Sequence, residues 1–390
     1  MSTSAAAGPT APLAGIRVIS LAEQYPGPFA TLLLGDLGAD VIQIERPHGG
    51  DPSRAFPGLY QALNRGKRSV ALDLKDSDAL SACRALVATA DVMLEGFRPG
   101  VLGRLGLGHD DLAQLNPALV YVSVSGFGQS GPLRDLPAHD LTFQALAGLL
   151  DADEPRIPHL ALADLFAGMF TAFAAVTGVL SARNTGHGGY YDVAMFDTLL
   201  TVAATRLVPR VNALPADTLG LDPGYGFFAA ADGTWVSLSI AFEDHFWAAL
   251  CSALDMPDAQ ALSGPQRVEQ RDALQSAIAQ RIAAMPADHW DVALAGSGVP
   301  YGRLNGVDDI LADPHVGLRE MFQSIRTRDG EQQTFVRQPL LVDGIAHGPS
   351  RGVPQLGEHT AELLAEVGID PAVVNRLVAP LSEPKPSQIY

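Results

Sequence analysis

The chain has 390 residues, 47% of them hydrophobic, and a formal net charge of −17. Its size exceeds what a single core usually organises, so two domains are expected, and its acidity argues against nucleic acid or an anionic membrane as a partner. Two cysteines, Cys83 and Cys251, lie too far apart in sequence for a disulfide framework and belong to no metal-type cluster, which points to a reducing, cytoplasmic compartment.

Residues 1–12 are small and polar, with neither a basic region nor an apolar run, and read as a disordered tail rather than a signal peptide. From Ile16, short β-rich runs alternate with helical ones. Strands are predicted at Ile16–Leu21, Asp40–Ile44, Ser69–Leu74, Asp91–Glu95 and Leu119–Ser123, with helices or helical turns at Pro28–Gly38, Ala79–Ala90 and Asp110–Leu115. Continuous apolar strands separated by helices signal a parallel sheet covered on both faces, a Rossmann-like α/β core.

The first strand runs into Gln24-Tyr25-Pro26-Gly27-Pro28 and then a helix. Such a turn is expected to present free backbone N–H groups where anions bind. It is not a GxGxxG fingerprint, and Gly35 and Gly38 read as C-cap and turn positions, so nicotinamide binding is disfavoured. Of the chain's three lysines, Lys67 and Lys75 fall with Arg46, Arg54, Arg65, Arg68, Arg98 and Arg104 in one early segment. One basic neighbourhood in an acidic chain suits a polyanionic small ligand or, equally, a solvated basic face.

Farther along, helices are predicted near Asp164–Arg183 and Val193–Val208, flanking a Gly-rich turn at Asn184–Gly189. The apolar stretch Leu165–Leu180 is interrupted by Gly and reads as too short and mixed for a membrane span of about 20 residues. Leu214–Gly226 reads as a linker. Phe227–Ile240 reads as a hairpin around Ala231-Asp232-Gly233, followed by helices near Asp244–Leu254, Gln266–Ala283 and Pro286–Leu294, which makes a second, smaller α+β domain.

Three ionisable residues stand where helices are predicted to open: His139, Asp164 and Glu243. Asp164 lies in the apolar run Leu160–Phe170, where burying an unpaired carboxylate is costly. It reads either as the cap of its helix or as a reactive group. His139 can be a loop histidine with Asp140 as a cap, and Glu243 can open a surface helix.

Several blocks in order resemble the class III CoA-transferase and α-methylacyl-CoA racemase superfamily (CaiB/BaiF type). They are Leu13–Val18, Leu37–Ile42, Asn64–Ser69 with Leu72–Lys75, Phe97–Gly100, Ser125–Pro132, Thr185–Gly188 and Gly357–Thr360. The resemblance spans about residues 13 to 370. It implies an interlocked homodimer, a large CoA-binding domain over residues 13–213 completed by 335–390, and a small domain over 226–334. It also implies an acyl-CoA substrate, with coenzyme A entering as part of that substrate and no resident cofactor or metal.

The family's CoA contacts carry over to Arg46, Leu72, Lys75, Gly96, Arg98, Arg104 and Asp140; Arg and Lys suit the 3′-phosphate and pyrophosphate of CoA. Asp164 matches the family's Asp, a nucleophile in the transferases and an acid/base in the racemases. The His139-Asp140 pair, Glu95-Gly96 and Glu243 resemble the racemase branch. The expectation is therefore a racemase or epimerase in which His139 and Asp164 flank the α-carbon and Glu243 orients His139, since inversion needs an acid/base group on each face. The interval from His139 to Asp164 is a few residues shorter than the racemase pattern. CoA transfer through an aspartyl-CoA thioester of Asp164 is the alternative.

Overall fold

The computed structural model describes residues 11–215, 220–327, 330–349 and 351–378; of the expected tail, residues 1–10 lie outside the described residues. The chain divides into two compact units, Met1–Leu207 with Leu318–Tyr390, and Val208–Gly317.

In the first unit the elements run β1 (Arg17–Ser20), α1 (Pro26–Asp36), β2 (Asp40–Glu45), α2 (Pro57–Asn64), β3 (Arg68–Ala71), α3 (Ser77–Ala88) and β4 (Val92–Glu95). They continue with α4 (Val101–Arg104), α5 (His109–Leu115), β5 (Val120–Ser125), α6 (Asp140–Leu146), α7 (Leu162–Thr185), β6 (Gly189–Ala194) and α8 (Met195–Val202). The six strands form one sheet in the order β3-β2-β1-β4-β5-β6, and every pair is parallel. The order reverses between β1 and β4, the topological switch point of a doubly wound sheet, where ligands bind beyond the strands' carboxyl ends.

Adjacent residues on each central strand feed opposite cores, because side chains alternate across a strand. Val18, Val41, Leu94 and Val122 pack with Ala30, Leu34, Ala167 and Leu199 on one face. Ile19, Ile42, Met93 and Tyr121 pack with Leu86, Leu112, Leu363 and Leu364 on the other. This double burial is the reason the strands read as unbroken apolar runs.

Two sequence expectations are corrected here. The segment read as the start of a helix at Val193 belongs to β6, a sixth strand paired with β5 from Val120↔Gly189 to Ser125↔Ala194. Its burial alternates between half-buried and exposed from Gly189 to Asp192 and is full only at Val193 and Ala194, as on a sheet edge, so it lacks the apolar run of the central strands. The helix expected at Asp164–Arg183 is present as Leu162–Thr185, but it runs unbroken through its glycines and is, by length and composition alone, long and apolar enough to cross a membrane, contrary to the reading of Leu165–Leu180 as too short and mixed. It packs against α1, β5 and β6 along one side, while Met169, Phe173, Val176 and Leu180 are exposed. Its glycines are points of close approach: a Cβ at Gly178 would lie 2.3 Å from Val120 Cγ1, and one at Gly168 2.8 Å from the Pro26 carbonyl oxygen.

The chain rejoins the first unit at Leu318, earlier than residue 335, where the large domain was expected to resume. The hairpin Phe322–Arg326 with Gln332–Val336 lies in that unit, where Arg65 holds it. Arg65 Nη2 donates to the Val336 carbonyl at 2.8 Å, and its guanidinium lies 5.4 Å from the Phe335 ring centroid. Beyond the hairpin, the His359 N–H donates to the Ser69 carbonyl at 2.9 Å, and the Ala71 N–H to Thr360 Oγ1 at 3.0 Å, which ties helix Thr360–Glu366 to β3.

The second unit has a three-stranded antiparallel sheet of Tyr225–Ala229, Trp235–Ser239 and Tyr301–Arg303, with helices packed on a core that includes Trp247, Ile278 and Trp290. Within it, buried Arg267 pairs with Asp222 at 2.7 Å and Asp244 at 2.6 Å.

Candidate active site

A cavity of about 310 Å³ opens at the carboxyl ends of β1, β4 and β5, beside the switch point, and is lined by Gln24, Gly96, Arg98, Ser125, His139 and Asp164 among others. Four of the residues expected to form the site, Gly96, Arg98, His139 and Asp164, therefore meet in one place. Arg46, Leu72, Lys75, Arg104 and Asp140 do not line it. Leu72 is buried in the core, while Lys75 and Arg104 are exposed.

Asp164 is the third residue of α7 and half-buried. The reading of it as a helix cap does not hold. The N-cap position is Ala161, which has no capping side chain, and the cap comes from another helix: Asp140 Oδ1 accepts the Ala163 N–H at 2.7 Å. Asp164 is thereby released from that duty. Among the described residues its carboxyl group has neither an ion pair nor a hydrogen bond, and burial, reinforced by the charge of Asp140, pushes it up to about 7.

His139 is the N-cap residue of α6 and exposed; among the described residues its ring makes no hydrogen bond. Tyr25 stands close enough to feel Asp164 and Asp140: burial first, then both carboxylates, push its phenol up. In the second unit, Glu243 opens helix Asp244–Ala253, and its Oε2 accepts the N–H groups of Ala241 and Phe242, both at 3.1 Å. Those hydrogen bonds, the one from Phe242 foremost, hold its carboxyl below the usual range.

The turn before α1 offers fewer N–H groups than its position suggests. Pro26 and Pro28 have none, the Gln24 N–H goes to Asp51 at 3.1 Å, and the Phe29 N–H to the Tyr25 carbonyl at 2.9 Å. The basic neighbourhood also divides. Arg65 pairs with Asp36 at 2.6 Å, Arg54 with Glu45 at 2.7 Å, and Arg68 with Asp40, while Lys67 Nζ donates to the Pro28 carbonyl at 2.9 Å and Asn64 Oδ1 at 2.8 Å. These four are structural. Arg46, Lys75, Arg98 and Arg104 remain on the surface, Arg46 with Glu23 at 3.2 Å.

Gln24 and Ser125, noted in the sequence only as parts of a turn and of a family block, also line the cavity. Gln24 has a left-handed backbone, φ 69°, rare outside glycine. Ser125 Oγ is buried without a hydrogen-bond partner among the described residues. Gln24 follows β1 and Ser125 ends β5, both at the sheet's centre, and the switch-point rule applied to the predicted strands is the signal that would have marked them as site residues.

The family model described as CoA-transferase family III matches residues 13–360. The chain is 32% identical over 385 residues to the succinate–glutarate CoA-transferase of Agrobacterium fabrum, covering 91% of this chain and 96% of that protein. It is 34% identical over 390 residues to the acetyl-CoA:oxalate CoA-transferase of Acetobacter aceti, covering 94% and 98%. Among solved structures, a CaiB/BaiF family protein from Brucella suis superposes with a TM-score of 0.81 at 30% identity, covering 92% of this chain and 100% of that one.

Proposed function

Since the chain belongs to CoA-transferase family III, we propose that it moves coenzyme A from a donor thioester to a carboxylic acid, with Asp164 as the nucleophile. The observation that carries this reading is the Asp164 carboxyl group, partly drawn out of water at the switch-point cavity and, among the described residues, without an ion pair or hydrogen bond. Carboxylates kept for structure are normally paired, whereas a desolvated, unpaired one is poised for chemistry.

The chemistry needs no other nucleophile. The Asp164 carboxylate attacks the donor carbonyl and expels CoA thiolate, leaving a mixed anhydride. The thiolate attacks the aspartyl carbonyl, releasing the donor acid and forming aspartyl-CoA. The acceptor carboxylate attacks that thioester, giving a second anhydride and free thiolate, and the thiolate then attacks the acceptor's carbonyl and regenerates Asp164. The exposed cations Arg46, Lys75, Arg98 and Arg104 hold the CoA phosphates in this reading. Relatives named for succinate, glutarate, oxalate and mesaconate support a small dicarboxylic acid as acceptor.

Epimerisation, the first expectation from the sequence, is the second reading. What favours it is that His139 lines the same cavity as Asp164; the relatives' names favour transfer. One experiment separates them. Incubation in D2O with succinyl-CoA or acetyl-CoA and a panel of dicarboxylic acids should give new thioesters, and hydroxylamine should trap a hydroxamate at Asp164 by mass spectrometry. Deuterium entering the α-carbon of 2-methylacyl-CoA esters, with no transfer and no hydroxamate, would reverse the order.

A further inference from the structure

The cap on α7 is supplied by α6, and the supplier is itself held. Asp140 Oδ2 accepts a hydrogen bond from Gln144 Nε2 at 2.7 Å, and the same nitrogen donates to the Leu160 carbonyl at 3.2 Å. We propose that Asp140 and Gln144 form a latch that fixes the start of α7 from both sides, Leu160 before it and Ala163 after it, and so aims the Asp164 carboxyl group into the cavity. Both are positioning residues, distinct from the CoA contact that the sequence suggested for Asp140.

Three features support the assignment. Gln144 is 1% exposed, so its amide has no water to replace a lost partner. The segment joining α6 to α7 carries no helix or strand, so regular structure there does not set the angle between them. The latch grips Ala163, the residue next to Asp164, through its backbone N–H and makes no use of the Asp164 carboxyl.

The arrangement couples position to protonation. Glu23, Arg98 and His139 line the same cavity as Asp164, and Tyr25 and Asp140 lie within its electrostatic reach. Within that set, the latch's own carboxylate adds to burial in keeping the proton on Asp164. The latch rests on the transferase reading only in taking Asp164 as the reacting group.

The test uses the full chain with Asp140→Asn, which removes the charge but keeps an oxygen for Ala163, and Gln144→Met, which removes both amide bonds but keeps the charge. Asp164 is titrated by NMR of carboxyl-labelled aspartate, its signal assigned by its loss in Asp164→Asn. Asp140→Asn should lower the Asp164 midpoint by roughly one pH unit and move the acid limb of the transfer rate with it. Gln144→Met should lower kcat about tenfold, with the acid limb in place and KM for the thioester unchanged. Folded variants with kcat and midpoint like those of the wild type would overturn the latch. If Gln144→Met does not fold, the Asp140→Asn midpoint decides: a fall supports the latch and no change overturns it. A wild-type protein without transferase activity would refute the proposed function, while the titration would still read the latch.

Discussion

Glu45 and Asp164 are carboxylates drawn out of water in the same unit, yet Glu45 is paired on every side while Asp164 has no ion pair or hydrogen bond among the described residues. Glu45 accepts hydrogen bonds from Arg54 at 2.7 and 2.8 Å, from Ser69 Oγ at 2.7 Å and from the Asp51 N–H at 2.9 Å. Burial alone would push its carboxyl up, but these donors outweigh burial and hold it below the usual range. Asp164 has burial and a like charge, and it moves the opposite way. The difference separates a charge that holds the fold together from one whose cost of burial is tolerated for reactivity.

The sharpest test of that contrast is Asp164→Asn, which should lose at least about a thousandfold in transfer rate and all hydroxamate trapping. The same change should stabilise the fold above neutral pH. Burial, with the charge of Asp140, pushes the Asp164 carboxyl up from 3.8 to about 7 in the folded state, so the folded state binds the extra proton and wild-type stability falls as pH rises between those values. Asp164→Asn is free of that loss. Urea unfolding should show it more stable by about 1–3 kcal/mol at pH 8, after discounting for partial exposure, and nearly equal to wild type at pH 4. A variant destabilised at pH 8 would break the comparison.

Glu45→Ala should do the reverse, costing about 3–5 kcal/mol in urea unfolding at pH 7 because it strands Arg54 in a largely buried site. Glu45 has a depressed carboxyl, so its contribution is present above the ordinary value of 4.5 and disappears as pH falls through the folded one. The gap between wild type and Glu45→Ala should therefore narrow in acid. Equal stability of the two proteins at pH 7 would refute it.

The two halves of the basic segment extend the comparison to cations. Lys75→Ala and Arg104→Ala, both on the surface, should each weaken CoA binding by about 1–3 kcal/mol in calorimetric titration and leave the unfolding midpoint in place. Undiminished CoA affinity in both would remove them from the phosphate site.

Much of this was legible in the sequence because it is local. Apolar runs with intervening helices gave the central strands to within a few residues, and the same runs, buried on both faces, carried the parallel-sheet reading. Asp164 stood out because a carboxylate in an apolar helix start conflicts with its surroundings, and the ordered blocks from Leu13 to Thr360 identified the superfamily.

What escaped depended on partners distant in sequence. β6 is an edge strand whose partner, β5, lies before the whole of α6 and α7, and its half-exposed residues leave no apolar run. The early cations looked alike until folding paired Arg54, Arg65 and Arg68 with Glu45, Asp36 and Asp40. The cap on α7 comes from 23 residues upstream, and no pattern near Ala161 announces it. Periodicity is a property of consecutive residues and survives in the one-dimensional chain. A hydrogen bond or ion pair between distant residues exists only once the backbone has brought them together, so the sequence named Asp164, and the tertiary structure decided that Asp140 would cap its helix.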